Sequence, residues 1–225
     1  MPDPDRKAAS RRPITEATRL AADVRDSARP GRQQDASDAF ERAVALVAED
    51  DPEQAVLAAT AAKRLAPRSA VVREILGIAL YRSGRLREAL SELLAYRRMS
   101  GRPDQNHLIA DAYRAAGAPE KGLPLIREAL TAPLPADVRA ELFVVGGSTL
   151  ADMGRFDEAL GLLHRYGAAP GEIGSEDDLR VWYVAADVLE RAGRRAEAAE
   201  AFELLLRHDP DSFDVRERLA SLRTV

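Results

Sequence analysis

Residues 193–210 read GRRAEAAEAFELLLRHDP, and the offsets within this stretch decide the fold. Gly193 opens it. A small residue, Ala198, follows five positions on, a large apolar one, Phe202, nine positions on, and Pro210 closes it at seventeen. Sliding the same ruler back along the chain finds counterparts of Gly193 at Gly154, Gly117, Gly84 and Asp50, spaced by 39, 37, 33 and 34 residues. Five after each anchor stand Ala198, Ala159, Gly122, Ala89 and Ala55; seven before stand Ala186, Gly147, Ala110, Gly77 and Ala43. Ala and Gly make up about a quarter of the chain, so ten small residues at ten positions have odds of roughly one in a million by chance, and the register is a repeat. Four before each anchor lie Leu189, Leu150, Tyr113, Leu80 and Leu46; nine after lie Phe202, Leu163, Ile126, Leu93 and Ala59.

A glycine in the left-handed region ends one helix and turns the chain into the next, and Asp tolerates that conformation less well. The two helices then pack antiparallel, with small side chains where they approach closely and larger ones filling the space beside them. Pro210 and Pro67, each seventeen after an anchor, stop the second helix because proline lacks the amide donor and clashes with the preceding turn.

This pattern resembles the tetratricopeptide repeat (TPR). The last copy carries Trp182, Ala186, Leu189, Gly193, Ala198, Phe202 and Pro210 on the family's signature positions, with Leu189 in place of the usual tyrosine. The resemblance runs from about Ala36 to Pro210. It implies an all-α, right-handed α-solenoid of about five helix-turn-helix repeats, at 36–68, 70–101, 103–135, 137–172 and 176–211, closed by a C-terminal capping helix at 212–225. Some positions depart from the pattern. Copy one has Arg42 at an apolar position and Asp50 at the turn. Gly122 and Pro124 predict a late start for the second helix of copy three. Gly146 and Gly147 sit inside a first helix at a cost of about 1 kcal/mol each relative to Ala. The junction YGAAPGEIGSEDD (166–178) predicts altered stacking, with Ser175 and Asp178 as a helix start.

In the flanks, Val215, Leu219 and Leu222 form one stripe after a candidate N-cap at Ser212, with Arg216, Glu217, Arg218 and Arg223 elsewhere. A terminal helix of that kind covers the apolar end of an array. Residues 1–35 are rich in Pro, Arg, Asp and Ser, which predicts a disordered or loosely helical segment. Ile14, Ala17, Ala21, Val24 and Ala28 fall near helical spacing there, and suit either an extra packing helix or a segment that docks on a partner or in the protein's own groove.

Composition narrows the function. The chain of 225 residues has 42 Ala and 30 Arg but three Lys, and aromatics are 5%. The Arg bias fits a GC-rich, bacterial genome. A net charge of −4 gives no drive toward nucleic acid or anionic membrane. The absence of cysteine removes disulfides, thiolate metal sites and thiol nucleophiles. No apolar run approaches the roughly 20 residues that span a bilayer. Arg11-Arg12 precede PITEATRL rather than an apolar run, so no secretory signal is read, and the cytoplasm is the expected location. The histidines (His107, His164, His208) are scattered, and no catalytic, metal or phosphate-binding motif follows. The expectation is a non-enzymatic protein without cofactor or metal.

By resemblance, first helices line the concave face of a TPR array. The matching positions here are Glu74, Ile78, Tyr81 and Arg82; His107, Asp111 and Arg114; Val144, Ser148 and Asp152; and Arg180, Tyr183, Asp187, Glu190 and Arg191. The clamp with which some family members hold acidic C-termini is absent, because Phe40, Val44, Glu74 and Ile78 occupy its positions. Tyr81 and Tyr183 are expected to stand as exposed aromatic anchors among charges of both signs. The resulting expectation is an interaction module or scaffold that takes a peptide segment or helix of another protein in its groove, without nucleic-acid binding or membrane insertion. A structural subunit that self-associates through its repeats is the alternative.

Overall fold

The computed structural model describes residue 20 and residues 23–167, 174–211 and 214–223. The described residues hold eleven α-helices, one short 3-10 helix and no strands. The α-helices are α1 (Gln33–Ala48), α2 (Pro52–Leu65), α3 (Ala70–Arg82), α4 (Leu86–Ser100), α5 (Asn106–Ala115), α6 (Leu123–Ala129), α7 (Ala136–Asp152), α8 (Phe156–His164), α9 (Glu176–Arg191), α10 (Arg195–His208) and α11 (Val215–Arg223). Within the units α1 packs on α2, α3 on α4, α7 on α8 and α9 on α10, and α11 packs on α10. The chain divides into two compact units, Met1–Ala112 and Tyr113–Val225.

The turn between the helices of each pair is built as the anchor residues require. Gly84, Gly117, Gly154 and Gly193 have φ of 72–78°, and Asp50 has 59°, the one positive φ at a non-glycine among the described residues. In every turn the amide after the anchor reaches back to the carbonyl four before it: Asp51 to Leu46 at 3.0 Å, and Arg85 to Leu80, Ala118 to Tyr113, Arg155 to Leu150 and Arg194 to Leu189 at 2.9 Å. This six-to-one bond satisfies an orphan carbonyl at the helix end. The register therefore fixes backbone hydrogen bonding as well as packing.

The small residue seven before the anchor is explained by the residue nine after it. A Cβ on Gly77 would lie 2.6 Å from the Leu93 side chain, and one on Gly147 would lie 2.9 Å from that of Leu163. The large residue of the second helix thus packs into the hollow left by the small residue of the first. Gly146 makes a second hollow, where an added Cβ would meet Leu162 at 2.7 Å and Ile126 at 3.0 Å. The glycine pair inside α7 consequently admits two neighbouring second helices, and helix α7 continues through it unbroken.

In the N-terminal unit, Phe40, Val72, Leu80, Leu93 and Tyr96 are buried in the core. Residues 23–26 form a helical turn whose Val24 is fully buried, and the Arg29 amide donates to Leu65 O at 3.0 Å. Expectations for Ile14, Ala17 and Ala21, for Ser212, and for the middle of the 166–178 junction lie outside the described residues. In the C-terminal unit, Trp182, Phe143, Phe202 and Leu205 share one core with Val215, Leu219 and Leu222 of α11. Ser175 caps α9 by accepting from the Asp178 amide at 3.2 Å, while Asp178 accepts from the Gly174 amide at 2.9 Å. The second helix of copy three starts late: a 3-10 turn at Pro119–Lys121 precedes α6, which is only seven residues long.

Candidate functional site

The candidate residues fall into two sets, one in each unit. In the N-terminal unit they are mostly committed to contacts within the chain. Glu74 is buried and accepts from Gln105 Nε2 at 2.7 Å. Tyr81, expected as an exposed aromatic, is only 5% exposed, and its hydroxyl donates to Asp111 Oδ2. The side chain lies inward because α3 is sandwiched between α2 and α4, with almost every residue from Val72 to Tyr81 covered. Arg82 donates to the carbonyl of Val47 at 2.5 Å. It thereby satisfies the end of α1, and burial, partly offset by Asp50, lowers its pKa. His107 is 4% exposed in a buried polar run with Asp104, Gln105 and Asn106. None of these four is a solvated groove side chain.

In the C-terminal unit the arrangement is different. Asp152 at the end of α7 accepts from Arg114 of α5 at 3.1 Å and from Arg191 of α9 at 2.8 Å. Arg191 also faces Asp187 at 3.6 Å, and Asp187 pairs with Arg218 of α11 at 2.7 Å. Charges of alternating sign therefore run in one connected row over three first helices and the terminal helix, with Ser148 half-buried one turn before Asp152. The row stays wet: the side chains of Arg114, Asp152, Asp187 and Arg191 are 27–36% exposed. Ion pairs of this kind contribute little to stability and exchange partners easily. Arg180 does not join the row. It is buried and forks onto Glu141 of α7.

Tyr183 is half-buried rather than exposed, and it belongs to the attachment of the terminal helix. Its hydroxyl donates to Asp214 at 2.6 Å and accepts from Arg218 at 3.1 Å. Its ring meets Phe202 edge-on at 6.2 Å. Burial first, and then the bond to Asp214, push its pKa up to about 12. Arg218, assigned by periodicity to the polar back of α11, is the residue that sequence reasoning missed. Its guanidinium lies 4.9 Å from the Phe202 ring centroid and 5.6 Å from that of Tyr183, and it pairs with Asp187 and with Glu190 at 2.6 Å. Burial works against its charge, and the bonds to Asp187, Tyr183 and Glu190 outweigh that and raise its pKa. No local pattern distinguishes Arg218 from Arg216, because its partners lie about 30 residues away.

A second unforeseen feature recurs at the start of second helices. Arg85, Arg155 and Arg194, each directly after a turn glycine, fork onto Glu88, Glu158 and Glu197 with N–O distances of 2.5–2.8 Å. Glu92, on the second helix α4, is held within the N-terminal unit. It is buried between Lys63 at 2.6 Å and Arg73 at 2.7 Å. Among the described residues no group of three or more His, Asp or Glu could hold a metal ion, and no helix is long and apolar enough to cross a membrane.

Comparison with known proteins agrees with this architecture. Residues 179–222 match the tetratricopeptide repeat family. YrrB, described as a TPR protein with an unusual peptide-binding site, aligns at 20% identity over 78% of this chain and 87% of its own, with a TM-score of 0.57. A thermophilic TPR protein of Thermus thermophilus aligns at 20% identity over 84% of this chain and 100% of its own, with a TM-score of 0.61. MamA aligns at 16% identity over 94% and 98%, with a TM-score of 0.56. No curated protein sequence matches the chain. Residues 179–222 thus carry a tetratricopeptide repeat, and the fold of the chain is that of the tetratricopeptide-repeat proteins.

Proposed function

We propose that this chain is a non-enzymatic interaction module that holds a segment of another protein against the first helices of its C-terminal unit. The observation that carries this reading is the row Arg114–Asp152–Arg191–Asp187. Its charges alternate in sign and are partly solvated, so they can trade intramolecular pairs for a partner's charges at small cost. A partner segment of mixed charge suits the row better than a purely acidic tail. The other positions of the first helices, Tyr81, Glu74 and Arg180 among them, contribute less, because these side chains are buried. The fold by itself leaves function open, so the proposal rests on this surface.

The test is capture from an extract of the source cell on the immobilised full-length chain, read by mass spectrometry. Arg114→Ala with Arg191→Ala should reduce a specific captured protein about tenfold, while Arg98→Ala on the exposed side of α4 should leave it unchanged. Capture that survives the double variant would reject the row as the binding surface. If the captured protein is the chain itself, light scattering on gel filtration will give a multiple of 24.5 kDa, and self-association becomes the reading.

A further inference from the structure

A cavity of about 420 Å³ opens in the C-terminal unit beside the second helices α6 and α8, away from the row of charges. Its cause is in the sequence. Helices α6 and α8 are seven and nine residues long, whereas α2, α4 and α10 have 14 or 15. Gly122 and Pro124 delay α6, and the chain leaves it at Leu130 for the loop containing Pro133 and Pro135. Both helices pack onto the hollow at Gly146, through Ile126 and Leu162. Beyond that contact they are too short to close the space. Gly161 leaves its mouth open, since a Cβ there would meet no atom within 4 Å.

The cavity has an apolar wall, formed by Leu123, Ile126, Leu130, Leu150 and Leu162. Its rim carries Arg127, Arg165 and Glu158. Glu158 is already engaged by Arg155, at 2.7 and 2.6 Å. The side chains of Arg127 and Arg165 are exposed and make no hydrogen bond or ion pair with another described residue, although the charge of Arg127 also acts on Glu158. The rim is therefore positive around an apolar hole, on a chain whose net charge is −4. Its volume falls in the range of about 300–1,000 Å³ typical of ligand pockets.

We propose that this cavity is a second docking site, which receives a large aliphatic or aromatic side chain from an acidic segment of a partner protein. The apolar side chain fills the hole, and carboxylates beside it in the partner's sequence pair with Arg127 and Arg165. Arginine is suited to this because its fork takes a carboxylate in two parallel bonds. The apolar wall supplies the anchoring, and the two guanidinium groups select for acidic neighbours.

The probe is a short fluorescein-labelled peptide alternating Asp with Leu and Phe, measured by fluorescence anisotropy on the full-length protein. Two further peptides replace Asp by Lys, or Leu and Phe by Ala. The acidic apolar peptide should bind, and each altered peptide should bind at least about tenfold more weakly. Arg127→Glu with Arg165→Glu should weaken binding by a similar factor. Gly161→Leu should abolish it by filling the mouth, while Gly161→Ala retains it with an unchanged circular dichroism spectrum. If Gly161→Leu disturbs the fold, the double arginine variant decides, because both side chains are exposed. Failure of the acidic apolar peptide to bind, or equal binding by wild type and the double variant, overturns the proposal. Loss on Arg114→Ala with Arg191→Ala but not on Arg127→Glu with Arg165→Glu would also overturn it, and would leave the charged row standing.

Discussion

Asp50 and Gly193 perform the same turn with different side chains. The left-handed conformation costs a residue with a Cβ roughly 1–2 kcal/mol, and Asp50 bears that cost at φ 59°. Asp50→Gly is expected to stabilise the protein by about 1 kcal/mol in urea unfolding. Gly193→Ala should lose about 1–2 kcal/mol through the backbone alone, since nothing lies within 4 Å of an added Cβ. Two helical glycines give the complementary contrast. Gly77→Ala drives a methyl into Leu93 at 2.6 Å and should cost about 1–3 kcal/mol by overpacking. Gly161→Ala meets open space and should gain up to about 1 kcal/mol from helix propensity. Equal effects of these two changes, in the same urea assay, would show that the small residue at the earlier position does not serve packing. The repeat register made Gly77 legible in the sequence. The open space at Gly161 was not, because it depends on how far two other helices extend.

Helix α11 is the element whose role was half legible. Its apolar stripe of Val215, Leu219 and Leu222 is buried as the periodicity predicts. Its attachment, however, runs through Arg218, Tyr183 and Asp214, which periodicity cannot connect. Arg218→Met keeps the apolar stem of the side chain but strands Glu190 and leaves Asp187 with Arg191 alone, and should destabilise the C-terminal unit by about 2 kcal/mol. The measurement is hydrogen exchange in α10 and α11, which should quicken while α1–α4 stay protected. The Tyr183 hydroxyl adds a pH dependence. Its pKa is raised from the ordinary 10 to about 12, so the folded state holds the proton more tightly than the unfolded one. The associated stability is complete below pH 10 and is lost as pH rises toward 12. Tyr183→Phe should flatten that part of the alkaline unfolding curve, with tyrosinate absorbance following the titration. Tyr183→Ala is then a poor test of partner binding, because it loosens the last helix as well.

At the scale of the molecule, an array of repeats needs its final apolar face covered. Removing residues 212–225 exposes the surroundings of Phe202 and Leu205, both fully or almost fully buried. The truncated chain should aggregate or lose helix at its C-terminal end, seen as excess light scattering and reduced helical circular dichroism. A truncated chain that stays monomeric and equally stable would assign α11 some other purpose. The charged row and the apolar cavity are both surface features of the C-terminal unit, on first and second helices respectively. They differ in salt response: pairs along the row are screened as ionic strength rises, while apolar burial in the cavity is not.

The sequence by itself determined the helix pairs, their turns and the stripe of α11. Each follows from spacing along the chain: a left-handed residue, a small residue seven before it, a large one nine after it, a proline at the end. Such contacts lie within one repeat, so one ruler finds them all. Tertiary structure alone decided which side chains remain available. Tyr81, Arg180 and His107 stand at positions that family resemblance assigned to an open face, yet all three are buried. Tyr81, Arg180 and Glu92 are committed to residues 19–39 positions away. Arg218 went the same way, from a presumed solvent face to the centre of the cap. The cavity beside α6 and α8 likewise depends on the lengths of two helices that meet only through Gly146. Periodicity reports the direction in which a side chain leaves its own helix, whereas burial and pairing depend on what neighbouring helices place opposite it.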